Sequence, residues 1–184
     1  MWIEIFGAIT GLLYVTLEVR QNRWLWPLGF LSSAVYIYVF FVGKFYADAG
    51  LQVYYVVISI YGWYCWSRHP KQEGKKELPV RRIKGTEGTV LALLFLLLWF
   101  LIYYILDHFT DSLIPLGDAF TTALAIVATW MLTRKIIEQW LLWIVANTVA
   151  LALYIYKGLY PTALLYFVYT VMAVVGLYSW RRDL

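Results

Sequence analysis

The sequence predicts an all-α integral membrane protein with seven transmembrane helices, and three observations predict it. Of the 184 residues, 62% are hydrophobic, 20% aromatic and only 14% charged, against about a quarter charged in a soluble domain. Seven apolar segments, each roughly long enough to cross a bilayer, can be drawn along the chain. The basic residues fall almost entirely in alternate inter-helix loops, as the positive-inside rule requires.

The first segment, about 2–19, starts at Trp2 with no basic leader and no small-residue cleavage pattern, so it reads as a retained helix. The second, about 24–42, is entered through "RWLWPLGF", with Trp26 and Pro27 in its first turn. The third, about 49–66, is rich in tyrosine and carries Gln52. A polar stretch, "HPKQEGKKELPVRRIKGTEG" (69–88), follows and reads as a solvated, charge-bearing linker on the inner side. The fourth segment, about 88–106, is the most uniformly aliphatic, and the fifth, about 114–133, opens on Pro115 and Asp118. The sixth and seventh, about 139–157 and 161–180, are separated by a short loop containing Lys157. With the N-terminus outside and the C-terminus inside, thirteen of the fifteen Lys and Arg residues lie on the inner side, and only Lys44 and Lys157 lie outside. A positive charge distributed in this way reflects topology and gives no reason to expect nucleic acid as a partner.

Sliding the chain on itself by 114 residues aligns the first three helices with the last three without a gap. Twelve identities result over positions 20–68, among them Arg20 with Arg134, Trp26 with Trp140, Gly62 with Gly176 and Trp66 with Trp180. One helix between two three-helix units gives both units the same orientation, a parallel 3+1+3 repeat. The expected divisions are 1–68 for the first repeat, 69–113 for the linker, connecting helix and outer loop, and 114–184 for the second repeat. Transporters built from such repeats bind substrate near the midplane between them.

In "QWLLWIVAN" (139–147), Trp140, Trp143 and Asn147 are spaced i, i+3, i+7, so they share one helix face. A carboxamide at that depth is costly without a partner. Its partner is either a neighbouring helix, which would make it packing glue, or a ligand in a lined cavity. Ser32 and Ser33 occupy the matching depth in the first repeat, and Gln52, Tyr55, Tyr36 and Trp26 are the nearby candidates for amide and ring surfaces. Trp63, Tyr64, Trp66, Tyr178 and Trp180 are expected to form an interfacial aromatic belt at the inner helix ends. Glu4 and Asp118, at the outer ends of the first and fifth helices, are either helix N-terminal charges or an outer acidic rim that concentrates a cation. No ionisable side chain falls mid-span, which favours passive movement over ion coupling. An aromatic, amide-bearing, uncharged lining suits a small cationic aromatic molecule. No catalytic residue, metal site or cofactor is expected: the lone cysteine, Cys65, excludes a CxxC pair, and His69 and His108 fall in loops on opposite sides.

These residues resemble the PnuC-type vitamin transporter family nearly from end to end. The resemblance rests on "WIE" with "GAITGLL" (2–13), "LQVYY" with "YGWYCWSR" (51–68), Asp118, "MLTRK" (131–135) and "QWLLWIVAN". It implies a seven-helix bundle similar to a doubled sugar-transporter unit of the SWEET type, a homotrimer, and a location in the bacterial inner membrane. It further implies facilitated diffusion of nicotinamide riboside, with a cytoplasmic kinase trapping the vitamin by phosphorylation. Gln52, Trp140, Trp143 and Asn147 match positions the family associates with substrate. Ser32 stands where some nicotinamide riboside carriers have asparagine, and the tyrosine-rich helices are also similar to the thiamine-carrying PnuT branch. The competing classes are a non-transporting membrane scaffold, whose aromatics only pack, and a sugar carrier.

Overall fold

The structure is a computed structural model describing residues 2–42, 46–68 and 78–184, with the side chains of 2–4 and 46–48 outside the description. The described residues form seven helices: α1 (Trp2–Val19), α2 (Leu25–Val42), α3 (Tyr46–Ser67), α4 (Gly85–Phe109), α5 (Pro115–Thr133), α6 (Gln139–Tyr156) and α7 (Tyr160–Arg181). Each lies within about three residues of its expected segment. Five of them, α2 and α4 to α7, are long and apolar enough to cross a membrane. In α1, Ile5–Val19 is apolar but shorter. The third helix is long, but its five tyrosines and Asp48 lower its hydropathy although tyrosine suits the interface well.

The chain divides into two compact units, Met1–Pro79 and Val80–Leu184. In the first, α2 packs along α3 and α1 along α2. In the second, α4 packs on α5, α5 on α6 and α6 on α7. The core of this unit is Leu91 of α4 with Val127 and Met131 of α5 and Ile136 of the following turn.

The turns entering α2 and α6 are alike atom for atom. After α1, Gln21 takes a left-handed φ of 52°, its N–H donates to Glu18 O (2.9 Å), and Asn22 N–H donates to Leu17 O (2.8 Å). After α5, Lys135 takes a φ of 49°, its N–H donates to Leu132 O (3.0 Å), and Ile136 N–H donates to Met131 O (3.1 Å). Each is a Schellman-type ending in which a side chain other than glycine accepts the left-handed conformation, at a cost of about 1 kcal/mol. The next helix starts identically as well, Trp26 N–H on Arg23 O and Trp140 N–H on Ile137 O, both 3.1 Å. Every one of these pairs is 114 positions apart.

The stretch before α4 differs from the solvated linker that its charge led us to expect. Val80 is buried, and Arg81 forms a parallel bridge with the α5–α6 turn: its N–H donates to Lys135 O and its carbonyl accepts from Ile137 N–H, both 3.0 Å. The Arg81 guanidinium grips Glu87 with two bonds of 2.7 and 2.8 Å, which pushes its pKa further up. Glu138 Oε2 accepts from Ile83 N–H (2.9 Å). Backbone polar groups that water would otherwise satisfy are thus used to strap the 80–84 segment onto its own unit. His69 and the lysines at 71, 75 and 76 lie outside the described residues, as does Lys44.

Candidate functional site

Trp26 and Trp140 open their helices in the same way and are packed in the same way. Trp26 meets Trp66 edge to face, with ring centroids 5.6 Å apart at 89°, and Trp140 meets Trp180 at 5.5 Å and 87°. Each ring also lies across a glycine of the partner helix, Gly62 in α3 and Gly176 in α7, where any β-carbon would collide with it. Between membrane helices there is little hydrophobic drive, so contact depends on close packing, and a glycine lets the indole reach the backbone. Trp66 and Trp180 are 6% and 0% exposed, so the belt expected at these two positions is corrected to interhelical packing. Tyr64 and Tyr178 are well exposed, as a belt requires. The indole N–H groups of Trp26 and Trp140 are buried without an acceptor among the described residues.

One turn into α6 the surroundings change. The Trp143 ring is only half-buried, but its indole N–H is buried and has no acceptor among the described residues. Asn147, 7% exposed, makes no side-chain hydrogen bond among the described residues. The packing-glue reading calls for such a bond to a neighbouring helix, and among the described residues none is formed. The Trp143 indole N–H, removed from water and without an acceptor among the described residues, costs about 1–3 kcal/mol until something meets it, and the Asn147 carboxamide lies on the same helix face. They offer two kinds of donor and one carbonyl acceptor beside an aromatic surface.

The first unit carries its candidates on different elements. Gln52 and Tyr55 are three residues apart on α3, hence on one face, and both are half-buried. Tyr55 leans on Tyr54 at 5.4 Å. Tyr36 of α2 stacks on Phe40 at 5.6 Å and lies over Gly7 of α1, so its ring is engaged in packing between helices. Ser32 approaches Thr10 of α1 at 3.5 Å, while Ser33, the position 114 before Asn147, is buried.

Tyr14 was missed by the sequence reading. Its ring lies against Gly29, close enough that a β-carbon there would touch it. At the positions 114 later stand Ala128 and Trp143. Where the first unit places a large ring on α1 against glycine on α2, the second places a small residue on α5 and the large ring on α6. The signal was available: a glycine at the position matching Trp143 invites a large neighbour.

At the other end of the second unit, Asp118 accepts two bonds from Lys157 Nζ (2.7 and 2.9 Å) and one from Ser112 Oγ (2.7 Å). Its carboxylate is therefore neutralised within the unit by Lys157. The Glu4 side chain lies outside the description. Among the described residues no group of His, Cys, Asp and Glu is arranged to hold a metal ion.

A family profile described as Nicotinamide mononucleotide transporter matches residues 1–182. The chain is 26% identical to the nicotinamide riboside transporter PnuC of Escherichia coli (strain K12), over 97% of this chain and 84% of that protein. It is 28% identical to the riboflavin/roseoflavin transporter RibM of Streptomyces davaonensis, over 100% and 88%. It also resembles the crystal structure of the vitamin B3 transporter PnuC, with a TM-score of 0.76 at 23% identity, covering 98% of this chain and 81% of that one. At that identity the likeness carries the fold.

Proposed function

This chain belongs to the nicotinamide mononucleotide transporter family, and we propose that it moves nicotinamide riboside across the bacterial inner membrane by facilitated diffusion. The family is one of multi-pass membrane transporters rather than enzymes. The observation that carries the reading is Asn147: a nearly buried carboxamide with no side-chain hydrogen bond among the described residues, one turn beyond the Trp143 indole N–H, which has no acceptor there either. A nicotinamide ring offers a carboxamide for Asn147 to pair with and a cationic face for Trp143, a contact of about 1–2 kcal/mol when desolvated.

Phosphorylation by a cytoplasmic kinase would make such passive entry one-way, because the charged product cannot return through an apolar path. The topology that goes with this reading is a parallel 3+1+3 repeat, N-out and C-in. It is supported by the thirteen inner basic residues, by the twinned turns at Gln21 and Lys135, and by the twinned tryptophan pairs. A homotrimer follows the family resemblance alone.

Thiamine, another aromatic cation, satisfies the same chemistry. A flavin is a second reading, favoured by the 28% identity to RibM over the whole chain. Its larger neutral ring would use stacking on Trp143 and amide pairing without the cationic contact. Uptake into proteoliposomes separates these. Saturable nicotinamide riboside entry, unchanged by proton or sodium gradients and not competed by riboflavin, is expected. Riboflavin entry without nicotinamide riboside entry would assign the flavin reading, and absence of uptake of all three vitamins would favour a scaffold.

A further inference from the structure

We propose that the second unit holds the headgroup of an anionic phospholipid in a cavity distinct from the substrate residues. The cavity, about 360 Å³ and open to one side, lies where the start of α6, the end of α7 and the 80–84 strap come together. Arg82 and Arg181 line it, and neither makes an ion pair or side-chain hydrogen bond among the described residues. Glu138 lines it too, but its Oε2 is occupied by the Ile83 N–H, and Leu184 completes the lining beside Arg181. Two unpaired guanidinium groups around one cavity match a phosphate, which each can bind through paired N–H donors. Tyr178 adds a phenol.

The rest of the lining decides between a free phosphate and a lipid. Leu141 and Leu177 form an apolar wall on α6 and α7, and Leu141 is 48% exposed. A free anion gains nothing from that wall, whereas an acyl chain leaving its headgroup would run along it. In the proposed topology this end faces the cytoplasmic leaflet, where anionic lipids attract juxtamembrane arginines. The strap matters here because it carries Arg82 to the helix ends.

Native mass spectrometry of the intact chain in detergent, titrated with phosphatidylglycerol, phosphatidylcholine or inorganic phosphate, tests the site. Phosphatidylglycerol adducts are expected to survive where phosphatidylcholine adducts do not. The Arg82→Ala/Arg181→Ala pair should weaken them by about tenfold or more, and the Arg82→Lys/Arg181→Lys pair should weaken them less. Equal retention of the two lipids, or undiminished phosphatidylglycerol binding by the alanine pair, would overturn the proposal. Displacement of phosphatidylglycerol by inorganic phosphate would reassign the cavity to a free anion and overturn it equally. Should the alanine pair fail to fold, Arg181→Gln alone, read in the same way, decides the matter. Because binding is read in detergent, the result is independent of both the transport reaction and the topology.

Discussion

Asn147 and Trp143 have polar atoms without a partner among the described residues, and that makes their roles separable from stability. Asn147→Ala removes a group with no protein bond to lose, so thermal unfolding in detergent should move little while vitamin affinity falls roughly tenfold, the worth of one net hydrogen bond. Trp143→Ala should cost about 1–3 kcal/mol of binding through lost stacking, and Trp143→Phe less. Trp140 should behave oppositely. Gly176→Ala drives a β-carbon into the Trp140 ring, and Gly62→Ala does the same to Trp26, so each should lower stability by about 1–3 kcal/mol. Trp140→Leu should relieve much of the Gly176→Ala penalty, a coupling that differential scanning fluorimetry of the double variant would read. The face shared by Trp140, Trp143 and Asn147 was legible in the sequence because helical spacing fixes it. The split between a fully packed tryptophan, Trp140, and a half-buried one, Trp143, was not, since it depends on Gly176 and Trp180, residues of another helix.

The helices themselves were legible almost to their ends, because apolar run length and interruption by charge set them. What lay between the helices was harder to read. A run of arginines and lysines looks solvated in any sequence, and nothing local announces that the Arg81 backbone bridges to Lys135 and Ile137. Glu87 and Glu138 were the available hint, two carboxylates placed to hold that segment. Arg81→Met or Glu87→Gln should accelerate hydrogen exchange at the Arg81 and Ile137 amides together. The cost to global stability should stay near 1 kcal/mol or below, since the ion pair is partly exposed. If only one of the two amides responds, the strap is not a cooperative element. The left-handed residues Gln21 and Lys135 were likewise hidden, because neither is the glycine that usually marks such a turn.

For the whole molecule, turn geometry, helix starts and tryptophan seating recur within each unit at the sequence offset of 114. The topology proposed from it can be tested by labelling. In a Cys65→Ser background, Ser112→Cys should react with an impermeant maleimide added outside intact cells, and Arg182→Cys should react only after lysis. Reversal of that pattern would refute N-out, C-in. The most direct test of the account remains calorimetric titration of the purified protein with nicotinamide riboside, thiamine and riboflavin, run on the unaltered chain and on Asn147→Ala. Saturable binding of nicotinamide riboside is expected, weakened about tenfold by the substitution in a protein that melts at the same temperature. Binding that is indifferent to Asn147, or no binding of any of the three by a well-folded sample, would contradict it.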